Sequence, residues 1–260
     1  MAVTVPNQLP FSIVTKQTTS RFTAFIYGFA GSGKTHLART VIDTPIAPIL
    51  VCSCDEGHLT LRDVIGPQVV VTRTTDIKDF EKVGNYLLEK GQPFKTLMID
   101  NLTELHRKSL LSRAQANSAG KSRDAFSLTQ QDYGEARNQL LTLVSRFALE
   151  LKSVNVIFTA LASRAVSADE SSTVEPSLGG KLAYELPSYC DLVGYLSVEQ
   201  PNPAQVRKLR AEGKEPPEAR RVLQCAASYL VPSARNRGGY LPATVYNPNL
   251  YEIFKVMTSK

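Results

Sequence analysis

The residues Gly28, Gly33, Lys34 and Thr35 stand at the spacing G-x-x-x-x-G-K-[ST], with Phe29, Ala30, Gly31 and Ser32 between them. At average residue usage, roughly one chain in a hundred of this length would match by chance. Glycines at these positions let the backbone curl so that successive N–H groups converge on an anion. The Lys34 ammonium then reaches the outer phosphates of a nucleoside triphosphate, and the Thr35 hydroxyl is placed to hold Mg²⁺. Metal-assisted chemistry on a phosphate chain also needs an acid. Thr96, Leu97, Met98, Ile99 and Asp100 form an apolar run ending in a carboxylate, as a strand delivering an acid to the metal should. Asn101 follows Asp100, so the residue that activates water must come from elsewhere. The apolar run 49–54 ends in Asp55 and Glu56, and Glu56 is the expected base, with Asp55 as the alternative and Glu104 as a third candidate.

Such a site must be mounted on strands that deliver it to one edge. Residues 23–27, 49–54, 69–72, 96–99 and 154–160 are short apolar runs without alternation, the pattern of strands buried on both faces. Residues 36–42 read as a short helix after the glycine loop. Asp76 reads as an N-cap, with Ile77, Phe80, Val83 and Leu87 on one helical face. Tyr133, Ala136, Leu140, Val144, Phe147 and Leu151 recur every three or four residues, which predicts a helix over 132–151. Residues 192–198 and 222–227 are late strands. Strands alternating with helices predict an α/β fold with a mostly parallel central sheet flanked by helices. Three stretches interrupt that rhythm: 114–131, 163–180 and 200–218. Long irregular connections in a compact domain are commonly functional.

Composition narrows the classes. Of 260 residues, 43% are apolar and 21% charged, which excludes a mainly disordered chain. The net charge of +6 permits a polyanionic partner without requiring one. No apolar run is long enough to span a bilayer, and the first ten residues lack the pattern of a secretory signal. Cys52, Cys54, Cys190 and Cys225 have no metal-ligand spacing, and Cys52 and Cys54 fit one face of a buried strand. A reduced cytoplasmic setting without membrane contact is expected. Residues 1–20 read as an N-terminal extension and 21–260 as one ATPase domain, with a basic insertion at about 200–220.

The order of these features, followed by Pro176 to Lys181, by 191–196 and by Arg235-Asn236-Arg237, resembles the phage-encoded RecA-core ATPases called phage nucleotide-binding proteins. The resemblance runs over about 22–257. It implies a RecA-like P-loop core, ATP and Mg²⁺ as cofactors, and a protein that binds and anneals single-stranded DNA in recombination. It implies a homo-oligomer, ring or filament, with a single-strand DNA-binding protein as a further partner. For a host-infecting virus the compartment is the host cytoplasm. By the resemblance, Thr159 is the γ-phosphate sensor, and Arg235 and Arg237 form a finger acting on a neighbour's nucleotide. Arg113, Lys121 and Arg123, with Arg164 and Lys181, would contact DNA from two loops. Two other readings stay open: a P-loop kinase of a small acceptor, and a ring motor or helicase loader without annealing activity.

Overall fold

A computed structural model describes residues 21–89, 91–119, 127–166 and 172–259. Lys121 and Arg123, and the proposed extension 1–20, lie outside the described residues. In chain order the elements are β1 (Thr23–Gly28), β2 (Ile49–Ser53), β3 (Val69–Arg73), α1 (Ile77–Leu88), β4 (Thr96–Asp100), α2 (Leu102–Ser118), α3 (Gln130–Glu150), β5 (Asn155–Val166), β6 (Ser172–Pro176), α4 (Leu182–Glu185), β7 (Leu192–Glu199), α5 (Pro203–Ala211), β8 (Arg220–Gln224), β9 (Arg235–Asn236), β10 (Thr244–Tyr246) and α6 (Leu250–Thr258). Short 3-10 helices follow the glycine loop (Thr35–Val41) and β2 (Gly57–Leu61).

The sheet order is β10-β8-β7-β1-β5-β4-β2-β3, with β6 pairing β5 and β9 pairing β7. All pairings from β7 through to β3 are parallel, and β8, β10, β6 and β9 add antiparallel edges. This is the expected α/β architecture, with the P-loop strand β1 central. Alternation along β1 splits the core. Phe25 and Tyr27 join the cluster under α1, α2 and α3, and Ala24 and Ile26 join the cluster under the first 3-10 helix and α6. Cys52 and Cys54 share the first cluster, as their spacing predicted, and all four cysteines are buried and unpaired.

The Asp76 carboxylate caps α1 by accepting from Asp79 N–H. Thr129 and Asp132 form a reciprocal capping box that starts α3 two residues before the predicted boundary. Ala136, Leu140, Val144 and Phe147 are buried along α3 as the periodicity required, but Tyr133 is exposed. The described parts of the three irregular stretches carry regular elements. Residues 114–118 complete α2, and β5 runs on past Ala160 to pair antiparallel with β6. The basic stretch at 200–220 holds α5 and the start of β8. No helix among the described residues is long and apolar enough to cross a membrane.

Candidate nucleotide site

Parallel strands β1, β5, β4 and β2 end at one edge of the sheet, so their loops meet there. There, a cavity of about 340 Å³ is lined by Ala30, Gly31, Gly33, Lys34 and Thr35 from the loop after β1, and by Asp55 and Asp100 from the ends of β2 and β4. The loop geometry depends on glycine at two places. A Cβ on Gly28 would stand 2.2 Å from the Leu196 carbonyl oxygen, and Gly33 holds φ at +94°. Lys34 is buried, and its Nζ donates to the carbonyl oxygens of Gly28 (2.8 Å) and Phe29 (3.1 Å). Burial pushes its pKa down, while Asp100 and Asp55 pull it back up. The buried Ser32 hydroxyl has no hydrogen-bond partner among the described residues.

Asp100 is almost fully buried. Its two carboxylate oxygens accept from Thr35 Oγ1 and Thr159 Oγ1, each at 2.5 Å. Thr35 and Asp100 are thus already in contact, as a pair of Mg²⁺ ligands requires. Among the described residues no three His, Cys, Asp or Glu side chains cluster into a self-sufficient metal site. Mg²⁺ commonly takes one or two protein oxygens and completes its shell with phosphate and water. Thr159 is fully buried behind Asp100. Its hydroxyl is spent on the Asp100 carboxylate, and it does not line the cavity.

Burial raises the Asp100 pKa above its ordinary value; the Thr159 and Thr35 hydrogen bonds offset this in part. A carboxylate whose pKa is higher folded than unfolded binds its proton more readily in the folded state. Its stabilising effect is therefore present in acid and is lost as pH rises from the unfolded value through the folded one. At neutral pH the buried charge is a cost. Asp100→Asn should consequently raise the melting temperature of the metal-free protein at neutral pH. A gain of about 1 kcal/mol corresponds to roughly 2–4 °C for a domain of this size. Calorimetry at neutral and acidic pH tests this, and a variant that melts lower than wild type at neutral pH refutes it. The same variant should lose Mg²⁺-dependent turnover.

The two acids after β2 diverge. Asp55 turns into the cavity, where Oδ2 accepts from Asn101 Nδ2 (2.8 Å) and Oδ1 from Gly57 N–H (2.7 Å). Glu56 lies outside the cavity, exposed, with both oxygens 2.6 Å from Arg73 Nη2. Of the two acids, Asp55 lines the cavity with Lys34 and Thr35, and Glu56, the expected base, does not. Glu104 is tied to Arg107 one turn along α2.

Arg235 and Arg237 lie at the opposite end of the sheet. Arg235 pairs with Val193 near the start of β7, whose Leu192 pairs with Ala24 at the start of β1. β9 ends at Asn236, so the two arginines do not share a strand face as expected. Arg235 donates to Pro187 O (2.8 Å) and Arg237 to Ser188 O (2.7 Å), and Arg237 pairs with Asp191. Neither joins the P-loop of its own chain. Arg113 faces Glu135 at 3.7 Å, and Lys181 is exposed just before α4.

The fold does bring Arg164 to the P-loop. Its guanidinium lies 5.9 Å from the centre of the Phe29 ring, and Phe29 meets Tyr195 edge-on at 6.4 Å. Phe29 and Tyr195 line a second cavity of about 400 Å³ beside the nucleotide cavity. Arg221 also lines the nucleotide cavity, reaching it from β8. Nothing in the local sequence distinguishes it from the other basic residues around it.

The family described as an AAA domain matches residues 20–233. A search of the curated proteins finds no match. Among solved structures, the assembled ATPase EscN from the enteropathogenic E. coli type III secretion system is similar over 75% of this chain and 45% of that one. The identity is 15% and the TM-score 0.42. A prototypical ATPase from the type III secretion system of pathogenic bacteria is similar over 74% of this chain and 53% of that one, with 16% identity and a TM-score of 0.41. The chain spans about half the length of these two structures.

Proposed function

The chain belongs to the AAA domain family, and from that premise we propose that it is an ATP-hydrolysing, oligomeric protein that binds single-stranded DNA and anneals it in recombination. The observation that carries the reading is the meeting of Lys34, Thr35, Asp55 and Asp100 in one cavity at the ends of parallel strands. Lys34 exchanges the carbonyls of Gly28 and Phe29 for phosphate oxygens. Thr35 and Asp100 would hold Mg²⁺, which when bound neutralises charge on the phosphate chain. Asp55, kept in orientation by Asn101 and Gly57, takes the proton of the attacking water. Arg235 and Arg237 can take part in phosphate chemistry only across a subunit interface, which is the arrangement the oligomer provides.

The DNA part of the proposal rests on the resemblance to phage recombinases and on the ledge of Phe29, Tyr195 and Arg164. Aromatic faces stack on any base, and an adjacent arginine adds charge for the backbone. Phe29 belongs to the P-loop, so a base on this ledge sits next to the nucleotide cavity, a short path for ATP to alter DNA affinity. Anisotropy of a fluorescent oligothymidylate with ATP and Mg²⁺ tests this. Tyr195→Ala should weaken binding about tenfold, the worth of one stacked base. Arg164→Ala should flatten the slope of log affinity against log salt by about 0.7. Wild-type affinity and slope in both variants would remove DNA from this ledge.

A further inference from the structure

Strand β8 carries two adjacent arginines that the pleat sends to opposite faces. Arg220 is matched: Nε donates to Glu199 at 2.7 Å and its guanidinium stacks on Tyr246 at 4.0 Å. Arg221 turns the other way, over the glycine loop. A Cβ on Gly33 would stand 2.3 Å from Arg221 Nε. That Nε is buried without a hydrogen-bond partner, and Arg221 forms no ion pair among the described residues. Its side chain lines the cavity with Lys34 and Thr35, and its charge helps to push the nearby His36 pKa down, second to burial. The backbone under it is clamped on both sides. Arg221 N–H donates to Asn247 Oδ1 (3.1 Å), and Arg221 O accepts from Asn247 N–H (2.7 Å). A guanidinium with a buried unsatisfied donor, on an anchored backbone and lining the same cavity as Lys34, is a built site for an anion.

We propose that Arg221 binds the phosphate chain of the nucleotide in cis, as a second cation on the side of the loop away from Asp100. This rests on the reading of the cavity as a nucleotide site. The planar fork of arginine presents parallel donors to two phosphate oxygens in a fixed geometry, where the Lys34 ammonium acts as a point charge. Because β8 follows α5 directly, the contact also ties the basic segment at 200–220 to nucleotide occupancy. The phosphate grip comes from the same chain, in contrast to Arg235 and Arg237, so nucleotide affinity should not require assembly.

The test is titration with a fluorescent ATP analogue, followed by competition with ATP, ADP and AMP. Arg221→Gln should weaken ATP and ADP by about tenfold or more, the usual loss for a charge-assisted contact, and AMP far less. Arg221→Met keeps the aliphatic stem over Gly33 and should show the same loss, which covers a failure of the Gln variant to fold. Arg221→Lys should recover part of the affinity, and Arg220→Gln should bind as wild type. Wild-type ATP affinity in both Arg221→Gln and Arg221→Met overturns the inference while leaving the nucleotide site intact. An equal loss for AMP and ATP also overturns it, because it marks a structural role. A wild-type protein that binds no nucleotide overturns the reading of the cavity and this inference with it.

Discussion

Asp55→Asn is expected to lower ATP turnover by about two to four orders of magnitude, the range for losing a general base, while Glu56→Gln should leave it within about twofold. The two residues are neighbours, and both are acids just after β2, a strand parallel to the P-loop strand and separated from it by β5 and β4. Their surroundings separate them. Asp55 lines the cavity with Lys34, Thr35 and Asp100, and two donors hold its oxygens in place. Glu56 is 63% exposed and bound to Arg73, which stabilises its charge outside the cavity. Removing a charge from an exposed pair costs little. Steady-state phosphate release on the two variants decides between them. Wild-type turnover in Asp55→Asn together with a dead Glu56→Gln would overturn the assignment. Binding of the ATP analogue by Asp55→Asn should survive, because the loss falls on the chemical step.

Lys34→Ala should cut turnover by about 10² to 10³, the usual cost of removing one preorganised donor from a phosphate site, and should weaken ATP more than AMP. Lys34 is buried and its ammonium is already held over the loop by two carbonyl oxygens. It therefore meets the phosphate chain without being drawn in from solvent, which is why its loss bears on both affinity and rate. Burial also pushes its pKa down, so the charged ammonium is a cost to the folded protein without nucleotide. A Lys34→Ala protein that hydrolyses ATP at the wild-type rate would remove the P-loop from the mechanism.

The P-loop could be read from eight consecutive residues because its chemistry is local. The glycine conformations, the lysine and the hydroxyl are all set by neighbours in the chain. The strand ending in Asp100 was legible for a related reason, since an unalternating apolar run that stops at an acid marks a buried parallel strand with a polar tip. The contacts between strands were beyond that reach. Whether Asp55 or Glu56 enters the cavity depends on Asn101 after β4 and Arg73 on β3, which lie to either side of β2. Thr159 had the right position for a sensor, but the register of β5 against β4 sets its hydroxyl on Asp100. Phe29, Tyr195 and Arg164 meet only because β1 lies between β7 and β5. Arg221 arrives by an antiparallel turn of the chain almost 190 residues after Gly33, and no spacing in the sequence signals it. Motifs made of adjacent residues were determined by the sequence. Partners across strands were decided by the order and register of the sheet, because a side chain's neighbours there come from other strands.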